Sequence, residues 1–267
     1  MDYLKLNKKA WDERTPIHLR SKFYNLPGFI RGETSLQEIE LEELKNVSGK
    51  SLCHLQCHFG QDTISWARLG AKVTGVDFSK VSINKAKGLA KDIGIDAQFI
   101  ESDIYSLPQL KLPKYDIVYT SYGTIEWLPD ITRWARVVAS LLKPGGQFYM
   151  AEFHPYYSWG SGNKYFRPDP QIHEVRTYTD DPSNSRQKIC VWPHRVSDVI
   201  SALAAQGLTI KTFTEYPYCP YPCFPGLTEK EPGRYFPKSE GLPMVYTLRA
   251  EAPLKARSGT RRITRNT

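Results

Sequence analysis

A chain of 267 residues, 40% hydrophobic and 24% charged, is long enough for one α/β domain with insertions and a core on both faces of a sheet. No apolar run approaches the ~18 residues needed to span a bilayer. Met1–Lys9 lacks the apolar stretch of a secretory signal, and five cysteines, an odd number, fit a reduced, cytoplasmic protein better than a disulfide framework. The net charge of +8 is concentrated at one end, because Lys255, Arg257, Arg261, Arg262 and Arg265 lie in residues 252–267, which contain no acid. The rest is close to balanced, which argues against a nucleic-acid partner, and the tail itself, with no apolar periodicity, is expected to be a basic disordered extension.

Along the chain, residues 1–46 precede the first clear strand and are expected to form a cap. Lys50–Leu55 reads as a buried strand running into the turn Gln56-Cys-His-Phe-Gly60. Gln61–Leu69 then makes about two helical turns, stopped by Gly70 as a C′ glycine. Ala71–Asp77 is a second strand. Ser79 caps a helix whose Ala86, Leu89, Ala90 and Ile93 share one face, with Gly94 closing it. Ala97–Asp103 and Tyr115–Ser121 are the third and fourth strands, and Asp130 starts a helix with Ile131, Trp134, Val138, Leu141 and Leu142 inward. Lys143-Pro-Gly-Gly146 breaks that helix and feeds a fifth strand, Gln147–Phe153. Residues 155–195, rich in Tyr, Trp, Pro and Asp, form an excursion with two short strands. Ser197 is expected to cap a helix over Asp198–Gln206, and Thr209–Tyr216 and Met244–Arg249 to form a final strand pair joined by a Pro/Tyr/Cys-rich loop.

Successive βα units imply an α/β fold: a doubly wound, mostly parallel seven-stranded sheet that ends in an antiparallel C-terminal pair. The division is a single domain over 1–251, made of the cap, a cofactor-binding core over 47–154, a substrate-side insertion over 155–195, and a C-terminal helix and strand pair over 196–251.

Within this frame the first strand, its turn and the next strand form one functional unit. Gly60 lets backbone approach a ligand, the following helix offers free N–H groups, and Asp77, seventeen residues after Gly60, can accept from ribose hydroxyls. That layout suits an adenosine-bearing cofactor.

On these residues the chain resembles the class I S-adenosylmethionine-dependent methyltransferases, over about Val47–Phe153 and again over Trp192–Ala250. Leu52-Cys-His-Leu-Gln-Cys-His-Phe-Gly60 occupies the place of the family's first motif, Asp77 that of its ribose-binding acid, and Ser102-Asp-Ile104 that of the strand-three motif that meets adenine. Leu142-Lys-Pro-Gly-Gly146 is similar to the family's approach to strand five. The whole chain looks close to a bacterial group with the His-Leu-Gln-Cys-His-Phe-Gly form of the first motif, an N-terminal Trp11-Asp-Glu-Arg14 and a Phe-His-Pro after strand five. The resemblance implies a Rossmann-like fold, S-adenosyl-L-methionine as cofactor and a small-molecule methyl acceptor. It implies cofactor contacts from Trp11, Gln56, Cys57, His58, Gly60, Asp77, Phe78, Asp103, Ile104 and Ser121. His54, Gln56 and His58 depart from the family's acid and two glycines. If φ stays positive at 56 and 58 the substitution costs about 1 kcal/mol each, and Gln56 and His58 could offset this by donating to the methionine carboxylate. The other reading has His54 and His58 satisfying hydrogen bonds in the core.

Methyl transfer from a sulfonium needs alignment of donor and acceptor more than a strong charge, and an oxygen or protonated nitrogen acceptor also needs a base within reach. His154 is the first candidate, with Glu152 beside it and His194 as the second; the alternative is that they orient loops or cap a helix. Trp11, Phe23, Tyr24, Phe29, Tyr122, Trp127, Tyr156, Tyr157 and Trp159 fall in segments expected to fold over the strand ends. Tyr24, Tyr122, Trp127 and Tyr156 are the candidate acceptor-binding residues, and aromatic faces also attract a cationic group. Cys219-Pro-Tyr-Pro-Cys223 lacks the four ligands of a structural zinc site, and no metal is expected. The rival readings are a nicotinamide-dependent reductase, weakened by the single well-placed glycine, an RNA methyltransferase, which would need a basic groove, and a non-catalytic protein that binds S-adenosylmethionine or its product.

Overall fold

The structure, a computed structural model, describes residues 2–158, 165–166, 169–238 and 241–254. The basic segment beyond residue 254 and Trp159 lie outside the described residues, as does the side chain of Tyr157. Helices α1 (Tyr3–His18), α2 (Leu26–Ile30) and α3 (Glu38–Glu43) come first. Strand and helix then alternate: β1 (Ser51–Leu55), α4 (Gln61–Arg68), β2 (Lys72–Asp77), α5 (Lys80–Asp92), β3 (Gln98–Glu101), β4 (Tyr115–Thr120), α6 (Ile131–Leu141) and β5 (Leu142–Phe153). Short 3-10 turns cover Ile104–Leu110 and Ile125–Trp127. After α7 (Pro155–Ser158) come the hairpin β6 (Gln171–Arg176) and β7 (Arg186–Val191), then α8 (Val196–Ala205) and β8 (Thr209–Tyr216). The hairpin β9 (Thr228–Glu231) and β10 (Arg234–Phe236) and the last strand β11 (Val245–Glu251) complete the chain.

Seven strands form one sheet in the order β3-β2-β1-β4-β5-β11-β8. Pairing is parallel from β3 to β5, while β11 runs antiparallel to both β5 and β8. This is the expected doubly wound, mostly parallel sheet with an antiparallel C-terminal pair. Both faces are covered, so β1 and β4 are buried along almost their whole length. One face packs Val118, Phe148 and Tyr246 against Trp134, Val138 and Leu203 of α6 and α8. The other packs Leu52, Tyr119 and Tyr149 against Trp66 of α4 and Leu36 and Leu44 at the two ends of α3. Among the described residues no helix is long and apolar enough to cross a membrane.

Local chemistry sets the helix starts. The Ser79 hydroxyl accepts from the Ser82 N–H at 3.0 Å, and the Asp130 carboxylate accepts from the Arg133 N–H at 2.8 Å, so both act as the expected N-caps. Helix α8 departs from expectation: it starts at Val196, so Ser197 lies inside it. The N-cap is Arg195, whose N–H and guanidinium are taken by the Asp198 carboxylate at 3.2 and 2.7–2.9 Å. A charged acceptor three residues on outcompetes a hydroxyl. The break at Lys143–Gly146 also takes another form. Leu142 ends α6 and already pairs with Tyr115, so β5 runs through Pro144 and Gly145, with a register shift before Ile117. Gly145 sits at φ +72° and its N–H is taken by Ala252 O at 3.1 Å. The loop before β11, read as irregular, holds the β9–β10 hairpin.

The N-terminal helices and the β6–β7 hairpin close over the carboxyl ends of the strands. Asn7 on α1 bonds in both directions to the Cys190 backbone on β7, its amide donating at 2.6 Å and its oxygen accepting at 2.8 Å.

Candidate active site

The strand order reverses between β1 and β4, and ligand crevices in open α/β sheets form outside the strand ends at such a point. A cavity of about 400 Å³ lies there. Its floor is the turn after β1, and its back is the end of β2 with Asp77 and Phe78. The loop after β4 (Ser121–Thr124, Glu126, Trp127) makes one wall, and Trp11, Phe23 and Tyr24 of the cap make the roof.

The turn is unusual in its backbone. Gln56, His58 and Gly60 all have left-handed φ, at +58°, +51° and +84°. Positive φ is therefore retained without glycine at two positions, at a cost of about 1–2 kcal/mol each. At Gly60 no side chain is possible, because a Cβ would come within 2.7 Å of the Phe99 ring. Specific bonds hold the other two. The Gln56 amide donates to Thr124 O at 2.8 Å, and the His58 N–H donates to Asp77 Oδ2 at 2.9 Å. Asp77 Oδ1 accepts from the Ser79 N–H at 2.8 Å. Burial pushes the Asp77 carboxyl up to about 6, against the pull of these two amides.

A second set of bonds runs through the side chains, and its direction follows from its ends. The Thr15 hydroxyl gives its proton to Trp11 O at 2.8 Å, so it accepts from Ser82 Oγ at 2.7 Å. Ser82 is thereby left to accept from His58 Nδ1 at 3.1 Å. His58 is buried and its pKa lies well below the ordinary value, chiefly through desolvation, so its Nε2 is unprotonated. That nitrogen accepts from His18 Nδ1 at 2.9 Å, and His18 Nε2 in turn accepts from Thr177 Oγ1 at 2.6 Å. Burial likewise holds His18 down to about 3. Cap, turn, α5 and the residue after β6 are thus joined by one chain of directed bonds through two neutral imidazoles. Trp11 packs edge-on to both His58 and Trp127, with ring centroids 5.1 and 5.2 Å apart.

His54, from β1, is buried. Its Nδ1 meets Thr63 Oγ1 at 2.8 Å and its Nε2 meets Ser121 Oγ at 3.1 Å, with the pKa held to about 3 by burial. It lines the cavity and satisfies two buried hydroxyls, as the core reading of this residue expects.

The structure brings together Trp11, Gln56, Cys57, His58, Gly60, Asp77, Phe78 and Ser121 with Tyr24, Tyr122 and Trp127 around one cavity. It leaves others apart. Ile104 packs in the core, and Asp103 sits half-buried before the 3-10 turn; neither lines the cavity. Glu152 is buried and its carboxylate accepts from the N–H groups of Gly123, Thr124, Ile125 and Phe153 and from the Thr124 hydroxyl. His154 Nδ1 accepts from the Tyr156 N–H at 3.2 Å, so its proton is on Nε2, which faces Glu215 at 3.1 Å. His194 Nε2 donates to Leu128 O at 2.7 Å. Burial lowers the pKa of both imidazoles. Glu152, His154, His194 and the exposed Tyr156 are all absent from the cavity wall.

Four residues that the motifs did not single out complete the site. His18 follows Trp11 and Arg14 at helical spacing on one face of α1, a pattern legible in the sequence. Asp62, two residues after Gly60, lines the cavity; burial pushes it up to about 6, opposed by hydrogen bonds from Ser35 and Ser121. Glu126 projects from the 3-10 turn after β4 and Tyr178 from the residues after β6, where its hydroxyl bonds to Tyr24. Cys223 lines the cavity with its sulfur 3.8 Å from that of Cys219, and both are free thiols. Among the described residues no group of three or more His, Cys, Asp or Glu is placed to hold a metal ion.

Residues 53–148 match the methyltransferase-domain family. A ubiquinone biosynthesis O-methyltransferase of Nitrosococcus oceani is 26% identical over 136 residues, which cover 50% of this chain and 57% of that one. The chain thus spans little more than half the length of the curated relatives it matches. Among solved structures, an S-adenosylmethionine-dependent methyltransferase from Methanosarcina mazei superposes with a TM-score of 0.58 at 17% identity, covering 82% of this chain and 99% of that one. The 4+2 cyclase SpnF superposes with a TM-score of 0.59, also at 17% identity, covering 93% and 95%. Family match and topology agree: residues 53–148 are a methyltransferase domain, and the sheet has the fold of the methyltransferase structure it superposes on.

Proposed function

We propose that the protein transfers a methyl group from S-adenosylmethionine to a nitrogen or oxygen of a small molecule bound in the same cavity. The observation that carries this reading is the pairing of the left-handed turn with Asp77. The backbone of residues 56–60 is folded as bare backbone would be, and a carboxylate at the neighbouring strand end keeps acceptor capacity on both oxygens after taking one N–H each. The ribose hydroxyls suit those oxygens. Gln56 supplies a further fit. Its amide nitrogen is committed to Thr124 O, and its buried Oε1 has no partner, so it would accept from the methionine ammonium rather than donate to the carboxylate. The cofactor supplies an electrophilic methyl group. The chain's own part is to orient the two reactants and to exclude water, which the aromatic roof does.

The five free thiols support a reducing, cytoplasmic setting. Because one fold hosts several chemistries, the test has two parts. S-adenosylhomocysteine should raise the melting temperature, by the equivalent of about 2.7 kcal/mol at a hundredfold excess over Kd, and NAD or NADP should not. Isotopically labelled methyl should then pass to an acceptor in a metabolite extract. Binding without transfer would leave a non-catalytic binder of S-adenosylmethionine, and no binding would refute the assignment.

A further inference from the structure

Among the described residues the cavity's charged wall groups are Asp62, Asp77 and Glu126, with neither lysine nor arginine, and His54 and His58 are neutral. Of the three acids, Asp77 is committed to protein hydrogen bonds from the His58 and Ser79 amides, and the Ser35 and Ser121 hydroxyls lie near enough to Asp62 to pull its pKa down against burial. Glu126 is different. It is the middle residue of the 3-10 turn Ile125–Trp127, it lines the cavity, and its carboxylate has no hydrogen-bond partner among the described residues. The turn that carries it is rigid, because Glu152 gathers the N–H groups of Gly123, Thr124 and Ile125 just before it.

Resting on the methyltransferase reading, we propose that the acceptor is an amine that enters as an ammonium ion, and that Glu126 is the carboxylate that pairs with it and takes its proton. The charge of the wall decides between acceptor classes. A phenolate or carboxylate would bring or develop negative charge beside Asp62 and Asp77, with Glu126 held protonated, in a largely desolvated cavity where like charges repel strongly. A cation meets the opposite balance, and the rings of Tyr24, Phe23, Tyr221 and Tyr122, linked in contacts of 5.1–5.6 Å, offer faces that attract it. The nearest guanidinium, Arg14, is not on the wall. It lies 5.6 Å from the ring centroids of both Trp11 and Trp127 and donates to Gln187.

The groups that act on Glu126 are consistent with a proton acceptor. Burial and the neighbouring Glu152 raise its pKa to about 8, with Arg14 opposing; Cys223 also lies within its field. A carboxyl poised near the working pH both accepts and releases a proton readily. The balance is simple. The ammonium N–H bond breaks toward Glu126, the freed lone pair bonds to the methyl carbon, and the S–C bond pair stays on sulfur. The methylated amine leaves as a cation, and the Glu126 proton passes to solvent.

The test uses the full chain saturated with S-adenosylhomocysteine, whose own binding is measured first. Isothermal titration then compares 2-phenylethylamine, 2-phenylethanol and 3-phenylpropionate. The amine should bind at least tenfold more tightly than the other two. Glu126→Gln should erase that preference while the affinity for S-adenosylhomocysteine stays within twofold, and near-ultraviolet circular dichroism should confirm an intact fold. Equal or better binding of the alcohol or the carboxylate, or an unchanged amine preference in Glu126→Gln, would overturn the proposal. A failure of S-adenosylhomocysteine itself to bind would instead refute the methyltransferase reading, and the same amine series on the free protein still reads the charge preference alone.

Discussion

His18 Nδ1 donates to His58 Nε2 across 2.9 Å, tying the end of helix α1 to the second left-handed residue of the turn after β1. The relationship explains why an imidazole can stand where glycine would be free of strain. The backbone cost at residue 58 is offset by two directed hydrogen bonds and by the packing of Trp11, Tyr24 and Phe59 on the ring.

Gln56 and His58 should therefore respond differently to glycine. His58→Gly relieves ~1–2 kcal/mol of left-handed strain but removes two hydrogen bonds and leaves the His18 N–H unpaired, at roughly 1–3 kcal/mol for that group alone. The net result should be a loss of at least ~2 kcal/mol by urea denaturation, with the cap loosened first in hydrogen exchange. Gln56→Gly relieves the same strain and removes an unpartnered buried oxygen against the loss of one bond to Thr124 O, so its stability should stay within ~1 kcal/mol of the parent. Equal losses at the two positions would show that the imidazole chain is not what holds the turn.

The imidazoles also set a pH dependence that a single variant isolates. The folded pKa of His18 is about 3 against 6.5 unfolded, so below 6.5 the unfolded chain takes up a proton that the folded chain refuses. Stability from this group is full above pH 6.5 and is lost as pH falls toward 3, at ~1.4 kcal/mol per pH unit. His18→Gln does not titrate. The stability gap between parent and variant should thus narrow by about 2 kcal/mol between pH 7.5 and 5. A gap that stays constant or widens on acidification would mean that His18 is charged in the folded state.

Much of this was legible in the sequence. Periodicity and caps gave the strands and helices of the core because local signals and burial agree there, as at Ser79 and Asp130. The acid-ending second strand and the left-handed turn were legible because both depend on backbone geometry close in sequence. What failed depended on distant partners. Nothing local to Glu152 announces that four backbone amides and a hydroxyl converge on it. His154 looks like a free base until Glu215, from the strand two places across the sheet, is placed beside it. Glu126 is silent in the sequence for the complementary reason: its significance is a carboxylate without a hydrogen bond among the described residues, which only the folded chain reveals.

Glu40 gives a prediction of opposite sign. It is fully buried under the sheet's other face, with one oxygen accepting from the Gln37 N–H at 2.9 Å and the other bonded to the Tyr122 hydroxyl at 2.8 Å. Burial raises its pKa from 4.5 to about 8. As pH climbs through that window the unfolded chain loses a proton that the folded chain keeps, so stability falls. Glu40→Gln preserves the shape and one acceptor oxygen without titrating. Its melting temperature should exceed that of the parent by several degrees at pH 8.5 and match it near pH 5. A variant that is less stable at pH 8.5 would show that the carboxylate, not the carboxylic acid, is the native form.

Asp77 is part of the fold and, on the proposed function, a cofactor ligand, and the two roles separate experimentally. Its oxygens hold the His58 and Ser79 N–H groups, so Asp77→Ala leaves two buried donors unpaired, at ~1–3 kcal/mol each. The variant should be less stable and should bind S-adenosylhomocysteine at least tenfold more weakly, since the loss of one charge-assisted bond to ribose is worth ~1.5–3 kcal/mol. Asp77→Asn is the sharper test. An amide keeps one acceptor oxygen but must turn its NH2 toward one of the two backbone donors, so a carboxylate-to-amide change is not conservative here. It should cost stability as well as affinity, with the loss in affinity the smaller of the two variants. Isothermal titration beside urea denaturation would read both quantities. Full affinity in a destabilised Asp77→Ala protein would mean that the carboxylate serves only the turn and that the ribose is held elsewhere in the cavity.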